Sequence, residues 1–199
     1  MRKIIVLMLL ATVSLMTFAQ DVKKGIRDDY AAMKERMANI EELEASGDEY
    51  PVPIYYKVNM KDNLPGTGGH YEEIRLFFNE LEVDEIYPPH YMVFATVKYN
   101  FAARKYYEEY MYDKAGNIRF IFAQIPDVDE KDIEMRLYYK QGKLFDVLVK
   151  KRDFGEKEYT NDYSGKTVPA KYAAEYKRLS SYVTKLTRLF KSVDDARHL

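Results

Sequence analysis

The distribution of apolar side chains predicts a helix near each end of the chain. Between residues 22 and 43, and again between 172 and 193, apolar positions recur at steps of three and four, the spacing of one helix face. Ser46-Gly47 suits the end of the first helix and Pro169 the start of the second. The apolar positions are Val22, Ile26, Tyr30, Met33, Met37, Ile40 and Leu43, and then Tyr172, Tyr176, Leu179, Val183, Leu186, Phe190 and Val193.

Between these helices, apolar and polar residues alternate in short runs, which is the pattern of strands with one buried face. In the longest run, alternation places Tyr91, Val93 and Ala95 on one face and Met92 on the other; in a later run, Ile118 shares a face with Phe120 and Phe122. The runs cover residues 54–60, 74–78, 91–101, 106–112, 118–122, 133–139 and 144–149, with a further extended piece at 158–163.

Two glycine-containing turns, Asp113 to Asn117 and Gln141-Gly142, each separate a pair of these runs. They predict tandem hairpins, joined by the acidic loop 126–132. The fold class predicted is α+β: a single domain over residues 20–199, with an antiparallel β-meander of seven or eight strands packed with an N-terminal and a C-terminal amphipathic helix.

The N-terminus has the pattern of an export signal. Arg2-Lys3 precede an apolar run, and small residues at Thr17 and Ala19 predict removal of residues 1–19 by cleavage after Ala19. A retained anchor is the alternative, but the run is shorter than a membrane-spanning helix. With Gln20 next, the chain resembles secreted proteins of Gram-negative anaerobic bacteria, which implies a compartment only. We expect a periplasmic or secreted protein without a stable membrane anchor.

Composition excludes several kinds of chemistry. The 31 basic and 32 acidic residues leave a net charge of −1, which does not suit a strongly basic nucleic-acid-binding protein. The chain has no cysteine, so a thiol nucleophile, a lipid-anchored cysteine and a cysteine-ligated metal are absent. With three histidines and no G-x-S-x-G motif, a serine triad has few candidates. We expect no cofactor.

Two groups of residues contain side chains of the types that bind metal ions. His70 and His90 meet if their strand starts are neighbours, and Glu72 lies on the face of His70, but the spacing does not fit a zinc motif. The acidic loop with Asp127 and Asp132 lacks the pattern of a calcium loop, and a solvated loop is the simpler interpretation. We therefore predict no metal site.

Tyrosine is the unusual component, with 19 in the chain and doublets such as Tyr106-Tyr107 and Tyr138-Tyr139. On a strand, each doublet places one ring on each face. The rings serve either cross-strand packing or a binding surface. The predicted ligand or partner surface comprises Tyr56, Tyr107, Tyr110, Tyr138, Gly66, Gly68 and His70.

These observations favour a non-enzymatic binding protein of the cell envelope that uses a Tyr-rich sheet surface or groove, with a protein, peptide or glycan as partner. One alternative is a carrier of an apolar ligand, a lipid or acyl chain, between sheet and helices. Another is a glycan-directed hydrolase. Glu72-Glu73 and Glu108-Glu109 are neighbours on strands and point to opposite faces, so a hydrolase needs a carboxylate pair across strands.

Overall fold

A computed structural model of the chain describes residues 2–47, 55–86, 88–128 and 131–197. In this part of the chain a long helix precedes eight consecutive strands, and a short 3-10 helix at Ala170–Tyr172 leads into a second helix. The elements are α1 (Arg2–Ser46), β1 (Tyr55–Leu64), β2 (Gly68–Glu80), β3 (His90–Phe101), β4 (Arg104–Tyr112), β5 (Ile118–Val128), β6 (Lys131–Lys140), β7 (Lys143–Asp153), β8 (Thr160–Gly165) and α2 (Ala173–Asp195).

The eight strands form one sheet in chain order, and every neighbouring pair is antiparallel. This confirms the predicted α+β class, with an antiparallel meander and a helix at each end. Both hairpin turns lie where the glycines predict them: Gly116 has φ 82° and Gly142 has φ 72°, a backbone conformation that glycine adopts without strain. The Asp113 carboxylate also accepts the backbone N–H of Asn117 at 2.8 Å, which stabilises the first turn.

One face of the sheet, here called the α2 face, packs against α2. Leu179, Leu186 and Phe190 of α2 and Tyr172 just before it are buried against apolar side chains from β2 to β7. The Asp162 carboxylate on β8 anchors the entry to α2, because it accepts hydrogen bonds from Lys171 at 2.5 Å and from the Tyr172 hydroxyl at 2.6 Å. These bonds, together with one from Lys151, hold the pKa of Asp162 well below its usual range.

Irregular pairing changes two predictions about which side chains share a face. Phe77 pairs with Phe94 but Phe78 pairs with Met92, so a bulge places Met92 in the α2-face core together with Ala95. A second shift between Met111 and Tyr112 places Ile118 in the same core, apart from Phe120 and Phe122. The prediction from simple alternation is wrong at both points, because an extra residue moves every later side chain of the strand to the opposite face of the sheet.

Helix α1 and the part of the chain from β1 to α2 form two compact units. Helix α1 ends at Ser46, followed by Gly47 with φ 77°, as the Ser46-Gly47 pair predicts. No helix of the described residues combines the length and apolar character needed to cross a membrane. Pro51 and Pro53, and residues 129–130 of the acidic loop, lie outside the described residues.

Candidate functional site

A buried ion pair joins α2 to the sheet. Glu108 on β4 has 0% exposed surface, and its Oε1 accepts a hydrogen bond from the Arg178 guanidinium of α2. Two phenols complete the set around the carboxylate: the Tyr99 hydroxyl donates to Oε1 at 3.1 Å and the Tyr110 hydroxyl to Oε2 at 2.5 Å. The buried carboxylate is therefore paired with a cation and hydrogen-bonded through both oxygens, the condition under which a charge is tolerated in an interior.

The pKa values around this ion pair reflect its burial. Burial, and then the Glu108 charge, raise the pKa of Tyr110 well above its ordinary value, so its phenol stays a donor. Burial alone would lower the pKa of Arg178, but the Glu108 charge and the hydrogen bonds to Glu108 and Glu175 outweigh it and raise that pKa. Arg178 thus remains a cation at every physiological pH.

A second carboxylate lies on the same face. Glu72 on β2 is 3.7 Å from the His70 imidazole, measured from Oε2 to Nε2, and the Tyr182 phenol of α2 hydrogen-bonds to it. Burial, and the nearby Glu108 charge, raise the pKa of Glu72, while His70 acts in the opposite direction. Burial and the Glu72 charge raise the pKa of Tyr182 to about 12.

Glu72 on β2 and Glu108 on β4 lie on the same face with β3 between them, and their surroundings do not favour catalysis. Glu108 has no exposed surface, and both of its oxygens accept hydrogen bonds from protein donors. A glycosidase requires two carboxyl groups that flank a substrate in an open cleft. The geometry instead supports a structural role, in which Arg178 fixes α2 on the sheet.

Of the tyrosines predicted to form a binding surface, two lie on the α2 face. Tyr110 has 0% exposed surface beneath α2, so its ring is not available to a partner. Tyr56 is half-buried, and its hydroxyl donates to Asp194 Oδ1 at 2.6 Å. Burial and the Asp194 carboxylate raise the pKa of Tyr56 to about 12. Both side chains connect the sheet to α2.

The other two predicted tyrosines lie on the opposite face of the sheet. The Tyr138 ring packs against the rings of Phe120 and Phe145, with centroids 4.9 and 6.4 Å away, and with 1% exposed surface it is not available to a partner, contrary to the prediction. Tyr107 is half-buried and its hydroxyl donates to Glu109 Oε1 at 2.5 Å. Each doublet thus places one ring on each face of the sheet, as predicted. Of the predicted tyrosines, Tyr107 borders an open groove near the turn between β3 and β4.

The predicted loop residues lie near that groove. Gly66, in the turn between β1 and β2, and Gly68, the first residue of β2, are both exposed, with φ of 80° and 83°. His70 follows on β2, and its Nδ1 is 2.6 Å from the backbone oxygen of Asn100. The contact between His70 and Asn100 therefore connects the hairpin turns after β1 and β3, which lie at the same end of the sheet.

His70 and His90 do not meet, contrary to the expectation that their strand starts are neighbours. His70 lies beside Asn100 at the end of β3, whereas His90 begins β3 and pairs with Glu80. The antiparallel arrangement thus separates them by the length of one strand. Among the described residues, no group of three or more His, Asp or Glu side chains is arranged to hold a metal ion.

A groove of about 480 Å³ opens where β3 and β4 turn. Register places its side chains on the face opposite α2, since Lys98 pairs with Tyr107 across β3 and β4, and Tyr107 pairs with Gln124 across β4 and β5. We call it the tyrosine groove and define it by Tyr71, Lys98, Asn100, Lys105, Tyr107 and Gln124. Its volume is in the range of small-ligand sites.

Hydrogen bonds fix the walls of the tyrosine groove. The Asn100 side chain accepts the backbone N–H of Tyr71 at 2.7 Å and donates to the carbonyls of Gly69 and Ala102 at 2.8 and 3.1 Å. Tyr99 and Tyr106 alternate with the groove residues along β3 and β4, so their rings stack on the α2 face, behind the groove, with centroids 4.6 Å apart. The groove is thus formed before any ligand arrives, which lowers the entropic cost of binding.

The groove is positively charged. Lys98 and Lys105 line it, and no carboxylate is among its lining residues. Glu73 lies nearby, but Lys57 at 2.9 Å and Arg75 at 3.1 Å pair with it and hold the pKa of Glu73 below its ordinary value in spite of its burial. An anionic group in the groove therefore meets two ammonium groups, of which Lys98 also interacts with Glu73, and the Glu109 carboxylate that accepts the Tyr107 hydroxyl lies nearby.

Of the six residues that define the groove, sequence reasoning found Tyr107 but missed the other five: Tyr71, Lys98, Asn100, Lys105 and Gln124. The signal for Lys98 and Gln124 is their register opposite Tyr107, which depends on the pairing of three strands. Tyr71 is 45% exposed and follows His70 in the chain, so the predicted surface residues Gly66, Gly68 and His70 lie beside the groove. The groove is formed by the pairing of several strands, and the sequence of one strand does not specify that pairing.

Comparison of the chain with protein-family models, with curated proteins and with solved structures finds no match. The functional proposal below therefore depends on the side chains and distances described above.

Substitution of Arg178 tests the buried ion pair. In Arg178→Met the Glu108 carboxylate stays buried without its cation, and we expect a loss of about 3–5 kcal/mol in the free energy of unfolding. The double variant Arg178→Met with Glu108→Gln should recover most of it, because no buried charge remains. Urea unfolding measures both, with Lys177→Met on an exposed part of α2 as control. Strictly additive losses would contradict the pairing.

The raised pKa of Glu72 predicts a pH-dependent effect on stability. Because the folded-state pKa lies above the ordinary value of 4.5, the stability that the protonated group contributes is complete below that pH and is lost as pH rises through the folded-state pKa. Glu72→Gln cannot ionise, so its stability relative to the parent should rise between about pH 4 and pH 8.

Urea unfolding at several pH values checks this expectation. Glu156→Gln, at an exposed position of the turn before β8, is the matched control and should show no such trend. A stability difference between Glu72→Gln and the parent that is constant or falls with pH would count against a destabilised carboxylate at this position.

Proposed function

We propose that the protein is an exported binding protein of the cell envelope that captures acidic oligosaccharides in the tyrosine groove. The proposal joins the export signal in the sequence with one structural observation: phenol rings and two lysines converge on a preformed groove without a lining carboxylate. Aromatic rings accept the apolar face of a sugar ring, and the ammonium groups pair with its carboxylate. The protein then serves to retain a ligand, with no bond made or broken.

Internal hydrogen bonds support the use of ring faces for stacking. The Tyr107 hydroxyl donates to Glu109, and the Tyr71 hydroxyl lies 3.3 Å from Asn59 Oδ1 and 3.4 Å from Glu73 Oε2. A phenol whose hydroxyl is already bonded is held in one orientation, so its ring is positioned before a ligand binds. Lys98 also lies over the Tyr107 ring, at 5.7 Å, so cation and ring form one recognition element.

Titration calorimetry with an oligogalacturonate trimer, and with neutral maltotriose for comparison, tests the proposal. We expect the acidic trimer to bind and the neutral one to bind weakly. Tyr107→Ala should weaken binding at least about fivefold, since truncating an anchoring aromatic side chain typically costs more than about 1 kcal/mol. Removing both lysines, Lys98→Ala with Lys105→Ala, should also reduce the dependence of affinity on salt.

Phe154→Ala is the control, because Phe154 is an exposed aromatic residue outside the tyrosine groove. It should bind the trimer as the parent does. Equal affinity for acidic and neutral trimers, or an unchanged affinity in Tyr107→Ala, would contradict the proposal.

Export is tested separately by the N-terminus of the protein that cells produce. Cleavage after Ala19 would leave Gln20 as the first residue, because small side chains at Thr17 and Ala19 fit the signal-peptidase site. Intact-mass measurement on the periplasmic and extracellular fractions should find this form. Replacing Ala19 with Arg should block cleavage, whereas protein that keeps residues 1–19 in the cytoplasmic fraction of the parent would contradict export.

A further inference from the structure

A second cleft lies on the other side of the sheet and has a different character. It measures about 450 Å³ and lies between the last turns of α2, the start of β3 and the turn that joins β4 to β5. Residues 187, 188, 190, 191, 194 and 195 contribute the α2 wall, a stripe at helical spacing. The cleft is separate from the tyrosine groove, with which it shares no lining residue.

The floor of this cleft is apolar. Met92, Tyr112 and Phe190 line it, and all three belong to the buried core beneath α2. The Tyr112 hydroxyl donates to the backbone carbonyl of Val183 at 3.2 Å, so the ring is held in place with only its edge, 3% of the residue's surface, exposed. A ligand that enters the cleft therefore meets a rigid apolar base.

The walls of the cleft carry three cations. Lys114 is placed by the rigid turn between β4 and β5, where its ammonium lies 5.7 Å from the centre of the Tyr91 ring. Arg188 and Lys191 come from exposed positions of α2. Within the described part of the chain, none of the three has a carboxylate oxygen within 4 Å, so their charges are not neutralised by ion pairs inside the protein.

Two carboxylates also line the cleft, but one is already engaged. Asp194 Oδ1 accepts the Tyr56 hydroxyl at 2.6 Å and lies 2.7 Å from Nδ1 of His90, whose side chain is 2% exposed. The Arg197 guanidinium lies 3.4 Å from the other ring nitrogen of His90. Asp195 is exposed and has no such partners. The cleft therefore has more positive than negative charge available to a ligand.

We infer that this cleft is a binding site for an amphiphilic anion, a carboxylate on an apolar chain of medium length. The apolar part lies on Met92, Tyr112 and Phe190, and the carboxylate pairs with Arg188, Lys191 and Lys114. Neither feature alone suffices: a short anion leaves the floor hydrated, and a neutral chain leaves the cations without a counter-charge. The site goes beyond the proposed glycan binding and does not depend on it.

Titration calorimetry with decanoate tests the inference, with hexanoate, decanol and acetate as comparisons. We expect decanoate to bind best, with affinity rising by up to roughly fourfold per buried methylene group from hexanoate to decanoate. Decanol and acetate should bind far more weakly. The double variant Arg188→Ala with Lys191→Ala should weaken decanoate binding about tenfold, the usual effect of losing hydrogen bonds to a charged group.

Lys177→Ala with Lys185→Ala removes the same charge from exposed positions of α2 outside the cleft, and it should leave decanoate binding unchanged. Tyr107→Ala should also bind decanoate as the parent does, which separates this site from the tyrosine groove. Decanol binding as tightly as decanoate, or equal loss in both double variants, would overturn the inference.

Discussion

The buried contact between Arg178 and Glu108 constrains the whole arrangement of sheet and helix. A carboxylate with no exposed surface is stable only while its cation and its phenol donors stay in place. Any shift of α2 that separated Arg178 from Glu108 would leave a charge in an apolar interior. The pair contributes little net stability compared with an apolar substitute, but it disfavours alternative positions of the helix. Leu179, Leu186 and Phe190, which follow Arg178 along α2, add the apolar burial.

This constraint separates the interior of the molecule from its proposed binding surfaces. Beneath α2, the titratable groups Glu72, Glu108 and Tyr110 are used to fix the helix, and the core leaves them little contact with water. The tyrosine groove and the cleft beside the end of α2 carry exposed lysine and arginine side chains on elements that this interior holds rigid. Recognition on a rigid scaffold needs no rearrangement, in line with a binding function and with the preformed groove walls.

The helices and strands could be predicted from the sequence, because the spacing of apolar residues and the glycine-containing turns are local signals. The strands, both hairpins and the seam of α2 follow from them. The facing of Met92 and Ile118 was not predictable, since bulges between Phe77 and Phe78 and between Met111 and Tyr112 depend on pairing with another strand. For the same reason the site was only partly predicted: Tyr107 is conspicuous in the sequence, but Lys98 joins it only through strand register.

The most direct test of the account is a chemical-shift map of the protein with an acidic oligosaccharide. Backbone amides of Tyr71, Lys98, Asn100 and Tyr107 should shift on titration, while those of Glu108 and Arg178 should not, because the interior beneath α2 stays as it is. Shifts concentrated at Glu108 and Arg178, with the tyrosine groove unaffected, would contradict the claim that a fixed interior supports a separate binding surface.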